Sequence, residues 1–288
     1  MVIKARSKRR KRKQRQYNKK NKSHEVLLAK REKNVPWDHW IPGFKVTFRL
    51  LFRPIIGKRS RLEAGGKIEA KRGKPMKKER KQTLGEEIAN ALIHGVGLGL
   101  AVAALVILVV LACRYGSVWH VVGFAVYGAT LVLLYLASTL YHCFPEGKVK
   151  RVFRVFDHAA IFLLIAGTYT PITLITLRGP WGWTIFGLVW AIAIVGIVGK
   201  SIWINKFKLF STILYIVMGW LVVVALKPLL AALNRTSIIF LLAGGVLYTL
   251  GTIFYVWKSR KYAHAIWHVF VLAGSICHFF TILFILPT

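Results

Sequence analysis

The sequence predicts an all-α, polytopic membrane protein built as a bundle of seven transmembrane helices. Of its 288 residues 55% are hydrophobic, yet the chain carries 43 Lys and Arg against 10 Asp and Glu. These two properties belong to different segments, since residues 1–85 hold 29 of the 43 basic residues. Residues 86–288 are a succession of apolar runs of about 20 residues, the length at which a helix crosses a bilayer.

Seven apolar spans can be marked in residues 86–288, each bounded by charge, glycine or proline. We number them spans 1 to 7 in chain order. The predicted spans are residues 88–112, 118–141, 157–177, 182–199, 209–227, 236–257 and 264–286.

The basic residues of the loops predict the orientation of the bundle. The second, fourth and sixth connections hold ten Lys and Arg residues, whereas the other loops hold four. The ten are Lys148, Lys150, Arg151, Arg154, Lys200, Lys206, Lys208, Lys258, Arg260 and Lys261. We therefore expect a multi-pass protein of the cell membrane with a cytoplasmic amino terminus and an outside carboxyl terminus.

The composition of residues 1–85 predicts a basic, largely disordered cytoplasmic arm, because this segment holds too little apolar surface to fold alone. Its expected partners are anionic lipid headgroups rather than nucleic acid, since it adjoins a membrane domain. Aromatic residues interspersed with basic ones near 37–53 predict a short interfacial segment.

No apolar stretch suited to a cleavable signal peptide is seen. The composition break before Met76 makes it an alternative translation start to Met1, a hypothesis that intact-mass measurement tests.

Polar residues suited to chemistry collect near the predicted cytoplasmic ends of spans 1, 2, 3 and 7. Ionisable side chains in a span are costly and therefore indicate function. The collected residues are Glu86, Asn90, His94, Ser138, His142, Asp157, His158, His264 and His268.

Three histidines of this group predict a metal site. His264 and His268 are four residues apart, so they project from one face of a helix. With His142 they make three imidazoles, the number that a catalytic zinc site uses while keeping an open position. Ser138 lies one turn deeper than His142 on the same face. Asp157 is placed to hold or deprotonate a water at the open position.

Each of these residues also has a structural interpretation. A single membrane histidine commonly bonds a neighbouring carbonyl, and Ser138 fits a close-packing small residue. Asp157 fits an N-cap of span 3. His158 points about 100° away from Asp157 on a helix and belongs at most to the surroundings of the site. The stripe Glu86, Asn90 and His94 either closes the site from a fourth helix or forms a capped helix start with a polar face.

The same residues resemble the hemolysin III family, which belongs with the progestin and adipoQ receptors and the alkaline ceramidases. The resemblance covers about residues 84–288. The motifs that carry it are Glu86-x3-Asn90-x3-His94-Gly, Ser138-x3-His142, Asp157-His158, Gly167-Thr-Tyr-Thr-Pro171 and His264-x3-His268.

The resemblance implies a seven-helix bundle with a zinc site facing the cytoplasm. By it, His142, His264 and His268 would be the ligands, Asp157 would bind or orient the water, and Ser138 would lie beside it. In the wider group such sites are associated with hydrolysis of lipid amides such as ceramide. Bacterial members are linked with haemolysis through pore formation and with control of membrane fluidity.

Three functions therefore stay open at the level of the sequence. The first is a zinc-dependent hydrolase acting on lipid amide bonds. The second is a receptor-like lipid sensor for membrane homeostasis, in which zinc is structural and a ceramide-like or other lipid is the ligand. The third is a pore-forming haemolysin. A retinal protein is excluded because residues 264–286 contain no lysine for a Schiff base.

Overall fold

The computed structural model describes residues 80–203, 208–257 and 259–287, and they confirm the predicted all-α fold with seven helices long and apolar enough to cross a membrane. Most of the predicted arm, including the segment near 37–53, lies outside the described residues. The orientation of the termini stays a prediction. The helices are α1 (Leu84–Tyr115), α2 (Val118–Cys143), α3 (Lys148–Pro171, continued by a π-helical turn, Ile172–Thr176), α4 (Pro180–Trp203), α5 (Lys208–Trp220, a 3-10 segment Leu221–Ala225, and Leu226–Ala232), α6 (Arg235–Val256) and α7 (Ala263–Leu283).

The helices pack around two apolar cores. The first joins α1, α2 and α7 around side chains such as Leu108, Phe124 and Tyr135. The second joins α3, α4 and α5 around side chains such as Phe162 and Val189. Large apolar side chains also cover the outside of the bundle, as expected for helices whose surroundings are lipid. We call the end at which α1, α3, α5 and α7 begin the site end.

The start of α3 differs from the prediction. Span 3 was expected to begin at residue 157, but α3 begins at Lys148, nine residues earlier. Lys148 and Arg151 in its first turn are exposed, so their charged ends can reach water. Lys150 is buried and bonds the Phe144 carbonyl and Glu87 instead. Asp157 consequently lies in the third turn of α3 and does not cap it, which corrects the N-cap interpretation.

The contact between α2 and α3 depends on Gly167. A Cβ atom at this position would lie 2.0 Å from Oγ1 of Thr130 on α2. Such a separation is far below van der Waals contact, so only glycine lets the two helices approach this closely. The close approach brings Ser138 of α2 and Asp157 of α3 toward each other near the site end.

A tyrosine of α3 stabilises the change of helix type within α5. The Tyr169 hydroxyl donates to the carbonyl of Gly219 at 2.8 Å and accepts from the amide of Val222 at 2.7 Å. These backbone groups lie where the α-helix passes into the 3-10 segment and loses its regular bonding pattern. Because lipid supplies no hydrogen bonds, a side chain must satisfy them.

Replacing Tyr169 with phenylalanine should lower the free energy of unfolding by about 1–3 kcal/mol, because a buried donor and a buried acceptor lose their partner. Denaturation of purified protein in detergent measures the effect. Tyr115→Phe is the matched control, since Tyr115 is 61% exposed. Equal stability of the two variants would contradict the assigned role of the hydroxyl.

Candidate metal centre

Three histidines from two helices meet at the site end. His142 lies in the last turn of α2, and His264 and His268 lie in the first two turns of α7. The ring centroids are 5.2 Å apart for His142 and His264, 5.0 Å for His142 and His268, and 4.6 Å for the α7 pair. One ring nitrogen from each residue lies within 4.8 Å of the others, an arrangement that could hold a metal ion.

Four of the six ring nitrogens of this trio lack hydrogen bonds although they are buried. Nε2 of His142, Nε2 of His264 and both ring nitrogens of His268 have no partner. Buried polar atoms nearly always have a hydrogen-bond partner. A metal ion bound by these nitrogens would supply the partner that they lack. Three nitrogens bound to one tetrahedral zinc ion at 2.0–2.1 Å lie about 3.4 Å apart. The trio, with its nitrogens within 4.8 Å of one another, must therefore contract to bind zinc.

Glu87 orients His142. Its Oε2 lies 2.7 Å from Nδ1 of His142, and its Oε1 lies 3.0 Å from Nζ of Lys150. A carboxylate only accepts hydrogen bonds, so the imidazole donates from Nδ1 and its Nε2 keeps a free lone pair. A carboxylate behind a ligand histidine is the usual support of a metal site.

Glu87 was not among the residues predicted for the site. The predicted carboxylate was Glu86, which lies four residues before Asn90 and eight before His94. Glu87 lies three residues before Asn90 and seven before His94, spacings that equally place it on their helix face. Testing both carboxylates against the two spacings would have found it.

Replacing Glu87 with glutamine should weaken zinc binding by about 10- to 100-fold, because His142 loses the acceptor that fixes its tautomer. Competition with a chromophoric chelator measures the affinity. Glu146→Gln removes the same charge from the same end of the bundle without touching the trio and should leave the affinity unchanged. Unaltered binding by Glu87→Gln would refute this role.

Glu86 instead joins the starts of α1 and α7. It forms a capping box with Thr83, pairs with Arg80, and accepts a hydrogen bond from the amide of Tyr262 at 2.8 Å. The pairing raises the pKa of the Arg80 guanidinium, which keeps that side chain charged. Tyr262 has φ 57°, a left-handed conformation, two residues before His264. Glu86 therefore helps to set where α7 and its two histidines begin.

Asn90 and His94 continue the wall of the site from α1. Nδ2 of Asn90 donates to Oε1 of Gln82 at 2.9 Å and lies 3.4 Å from Nδ1 of His142. The ring of His94 stacks on that of His268, with centroids 3.6 Å apart and an angle of 12° between the planes. Both residues are fully buried and contact the trio, so α1 closes the site as a fourth helix.

Asp157, Ser138 and His158 lie on the α2–α3 side of the trio. Asp157 is 3% exposed. Nδ1 of His158 lies 3.3 Å from Oδ2 of Asp157. The Ser138 hydroxyl is fully buried within reach of the same carboxylate and has no hydrogen bond of normal geometry.

An apolar cavity of about 150 Å³ leads away from the site between α3, α5, α6 and α7. Asp157 and His94 line it at the site end, and Leu164, Ile216 and Leu241 line it deeper in the bundle. Its volume is roughly ten times that needed for one water molecule. Because its walls are mainly hydrocarbon, the cavity suits an apolar chain rather than water.

Comparison with known proteins places this geometry in a family. Residues 82–279 match the family model described as Haemolysin-III related. The chain is 51% identical over 208 residues to Hemolysin-3 of Bacillus cereus, covering 72% of this chain and 95% of that protein. It is 49% identical over 202 residues to a Hemolysin-3 homolog of Bacillus subtilis, covering 70% and 95%. It is 29% identical over 213 residues to the human Monocyte to macrophage differentiation factor, covering 70% and 85%. The family model covers most of this chain, including its seven helices and its potential metal centre. The chain therefore belongs to the Haemolysin-III related family.

Proposed function

We propose that the protein is a zinc-dependent hydrolase that cleaves amide bonds of membrane lipids. The observation that carries the proposal is the combination of unsatisfied histidine nitrogens with a buried carboxylate at the end of an apolar cavity. Imidazole ligands suit zinc, and three of them leave a position open for chemistry. His142, His264 and His268 would hold the ion, with Glu87 behind His142.

Zinc bound there would act as a Lewis acid that makes water nucleophilic near neutral pH and polarises a carbonyl group. Asp157 is placed to accept the proton that the attacking water loses as its oxygen bonds to the amide carbon. Asp157 then returns that proton to the nitrogen as the carbon–nitrogen bond breaks, which yields a carboxylic acid and an amine. The hydroxyl of Ser138 lies beside the Asp157 carboxylate and would donate a hydrogen bond to it after a small shift.

The apolar cavity supplies the selection for lipids. An acyl chain held between α3 and α6 would bring its amide to Asp157 and His94, which line the near end of the cavity. Binding of the chain also excludes water from the cavity, which strengthens the electrostatic interactions of the site.

A screen of lipid amides with the protein reconstituted in vesicles tests the proposal. Protein loaded with zinc should release fatty acid from at least one lipid amide class. Treatment with a chelator should stop the release, and added zinc should restore it. Failure of the zinc-loaded protein on every lipid amide, with lipid binding intact, would replace the hydrolase by the lipid sensor with structural zinc.

Haemolysis, to which the names of the Bacillus relatives refer, is tested separately. Pore formation by this chain would release dye from vesicles, and it would do so equally after zinc removal, since the pore would not use the site. The hydrolase predicts that dye stays enclosed while fatty acid is formed.

A further inference from the structure

A second, polar cavity of about 190 Å³ opens beside the metal centre at the site end. The segment before α1, the ends of α2 and α6, and the starts of α3 and α7 all contribute to its wall. Four cationic side chains line it, and His264 of the trio also faces it. The four cations are Arg80, Lys81, Arg154 and Arg260.

The cationic charge of this polar cavity is only partly neutralised. Arg80 is paired with Glu86, and Arg260 stacks on the Trp257 ring 5.0 Å from its centroid, a contact that leaves its charge unbalanced. Among the described residues, Lys81 and Arg154 form no ion pair.

The carboxylates of the polar cavity do not offset this charge. Glu86 is paired with Arg80, and Glu87 contacts His142 and Lys150. Glu146 is the remaining acid in the wall, against the three cations that have no ion-pair partner. A cavity with such a surplus of guanidinium and ammonium groups is suited to a phosphate-like anion, which guanidinium binds through two hydrogen bonds.

The polar and apolar cavities adjoin at Tyr255, whose ring centroid lies 6.4 Å from that of His264. Tyr255 lines both of them. Asp157 lines the apolar cavity, whereas its neighbour His158 lines the polar one. An amphiphile can therefore place its chain in one cavity and its headgroup in the other, with the intervening bonds next to the trio.

We infer that the polar cavity is a binding site for the anionic headgroup of a lipid whose chain occupies the apolar cavity. Phosphate or a phosphate ester is the chemical class it would take, with Lys81, Arg154 and Arg260 as its partners. Binding of the headgroup does not require the proposed hydrolase activity. The inference rests on the proposed function only for the identity of the bond that is cleaved, the lipid amide. It narrows the substrate class from lipid amides in general to those that carry an anionic headgroup.

Binding of dodecyl phosphate to the purified, zinc-loaded protein in a neutral detergent tests the inference by calorimetry. Dodecyl phosphate should bind, dodecanol should bind at least about tenfold more weakly, and Arg154→Gln should weaken dodecyl phosphate by roughly 10- to 100-fold. Lys81→Gln should act in the same direction. Arg235→Gln, which removes a cation at the opposite end of the bundle, is the matched control and should change nothing.

Inorganic phosphate distinguishes the source of the anion. If phosphate alone binds as tightly as dodecyl phosphate and responds equally to Arg154→Gln, the site recognises a free anion and the lipid-headgroup inference is overturned. Equal affinity for dodecyl phosphate and dodecanol, or no response to Arg154→Gln, also overturns it.

The same samples separate this inference from the hydrolase proposal. His264→Ala combined with His268→Ala removes the proposed metal ligands but none of the three cations. Retained dodecyl phosphate binding by this variant supports a headgroup site in the polar cavity, whether or not any lipid amide is hydrolysed. If the double histidine variant loses dodecyl phosphate binding while Arg154→Gln binds it as the wild type does, the anion is bound by the metal and the inference is overturned.

Discussion

Replacing Asp157 with asparagine should lower lipid amide hydrolysis by about 10²- to 10⁴-fold, the usual contribution of a positioned general base. Asparagine has nearly the same shape but cannot accept the proton of the attacking water. It also supplies no negative charge beside the trio. The rate of fatty acid release by the reconstituted variant, at saturating lipid, measures the effect.

The Asp157→Asn result is decisive only if the variant still folds and binds metal. Asp157 is not a member of the histidine trio, so the zinc content should remain near that of the wild type. His120→Ala, which changes a side chain at the opposite end of the bundle, should retain full hydrolysis. An Asp157→Asn protein with normal zinc content that hydrolyses within a few-fold of the wild type would remove Asp157 from the proposed reaction.

His264→Ala combined with His268→Ala should abolish metal binding, because two of the three candidate ligands are lost. Purified wild type should carry about one zinc ion per chain, the expectation for a single three-histidine site. Metal analysis of protein purified without chelators gives this content directly. His120→Ala is the matched control, since His120 bonds Ser117 at the opposite end of the bundle.

Stability provides an independent measurement of the same site. Zinc at about a thousand times its dissociation constant should stabilise the wild type by roughly 4 kcal/mol against unfolding and the double variant not at all. The control should behave as the wild type. Full zinc content in the double variant would show that the metal is bound elsewhere.

The seven helices could be predicted because bilayer thickness makes a strong demand on sequence. Each crossing needs an uninterrupted apolar run, and such runs are separated here by charge, glycine or proline. The start of α3 could not be read in this way. Lys148 and the basic residues after it resemble a loop in composition. They are nevertheless helical, because Lys148 and Arg151 can extend toward water and the buried Lys150 is paired with Glu87.

The break in α5 had no signal in the apolar pattern either. Its backbone groups are satisfied by Tyr169, some fifty residues earlier in the chain, and such a bond exists only after α3 and α5 have packed. Sequence spacing is informative within one helix, whereas bonds between helices depend on rotations about the helix axes that spacing does not specify.

The candidate site was predictable to a similar extent. Loop charges brought the ends of α2 and α7 to one side, which is why His142 could be grouped with His264 and His268. Helical spacing alone did not choose between Glu86 and Glu87, adjacent residues that both fit the stripe. The difference between them depends on the turn before α7. There the Tyr262 amide donates a hydrogen bond to Glu86, whereas Glu87 accepts one from His142.

The division of the histidine trio between α2 and α7 has a consequence for biogenesis. Domains form from the amino terminus as the chain is made, so the ligands from the last helix arrive after all the others. A chain that stops before Tyr262 retains one of the three histidines and lacks the Tyr262 amide that Glu86 binds. A metal ion at the trio would thus be held only after the last helix has been added to the bundle.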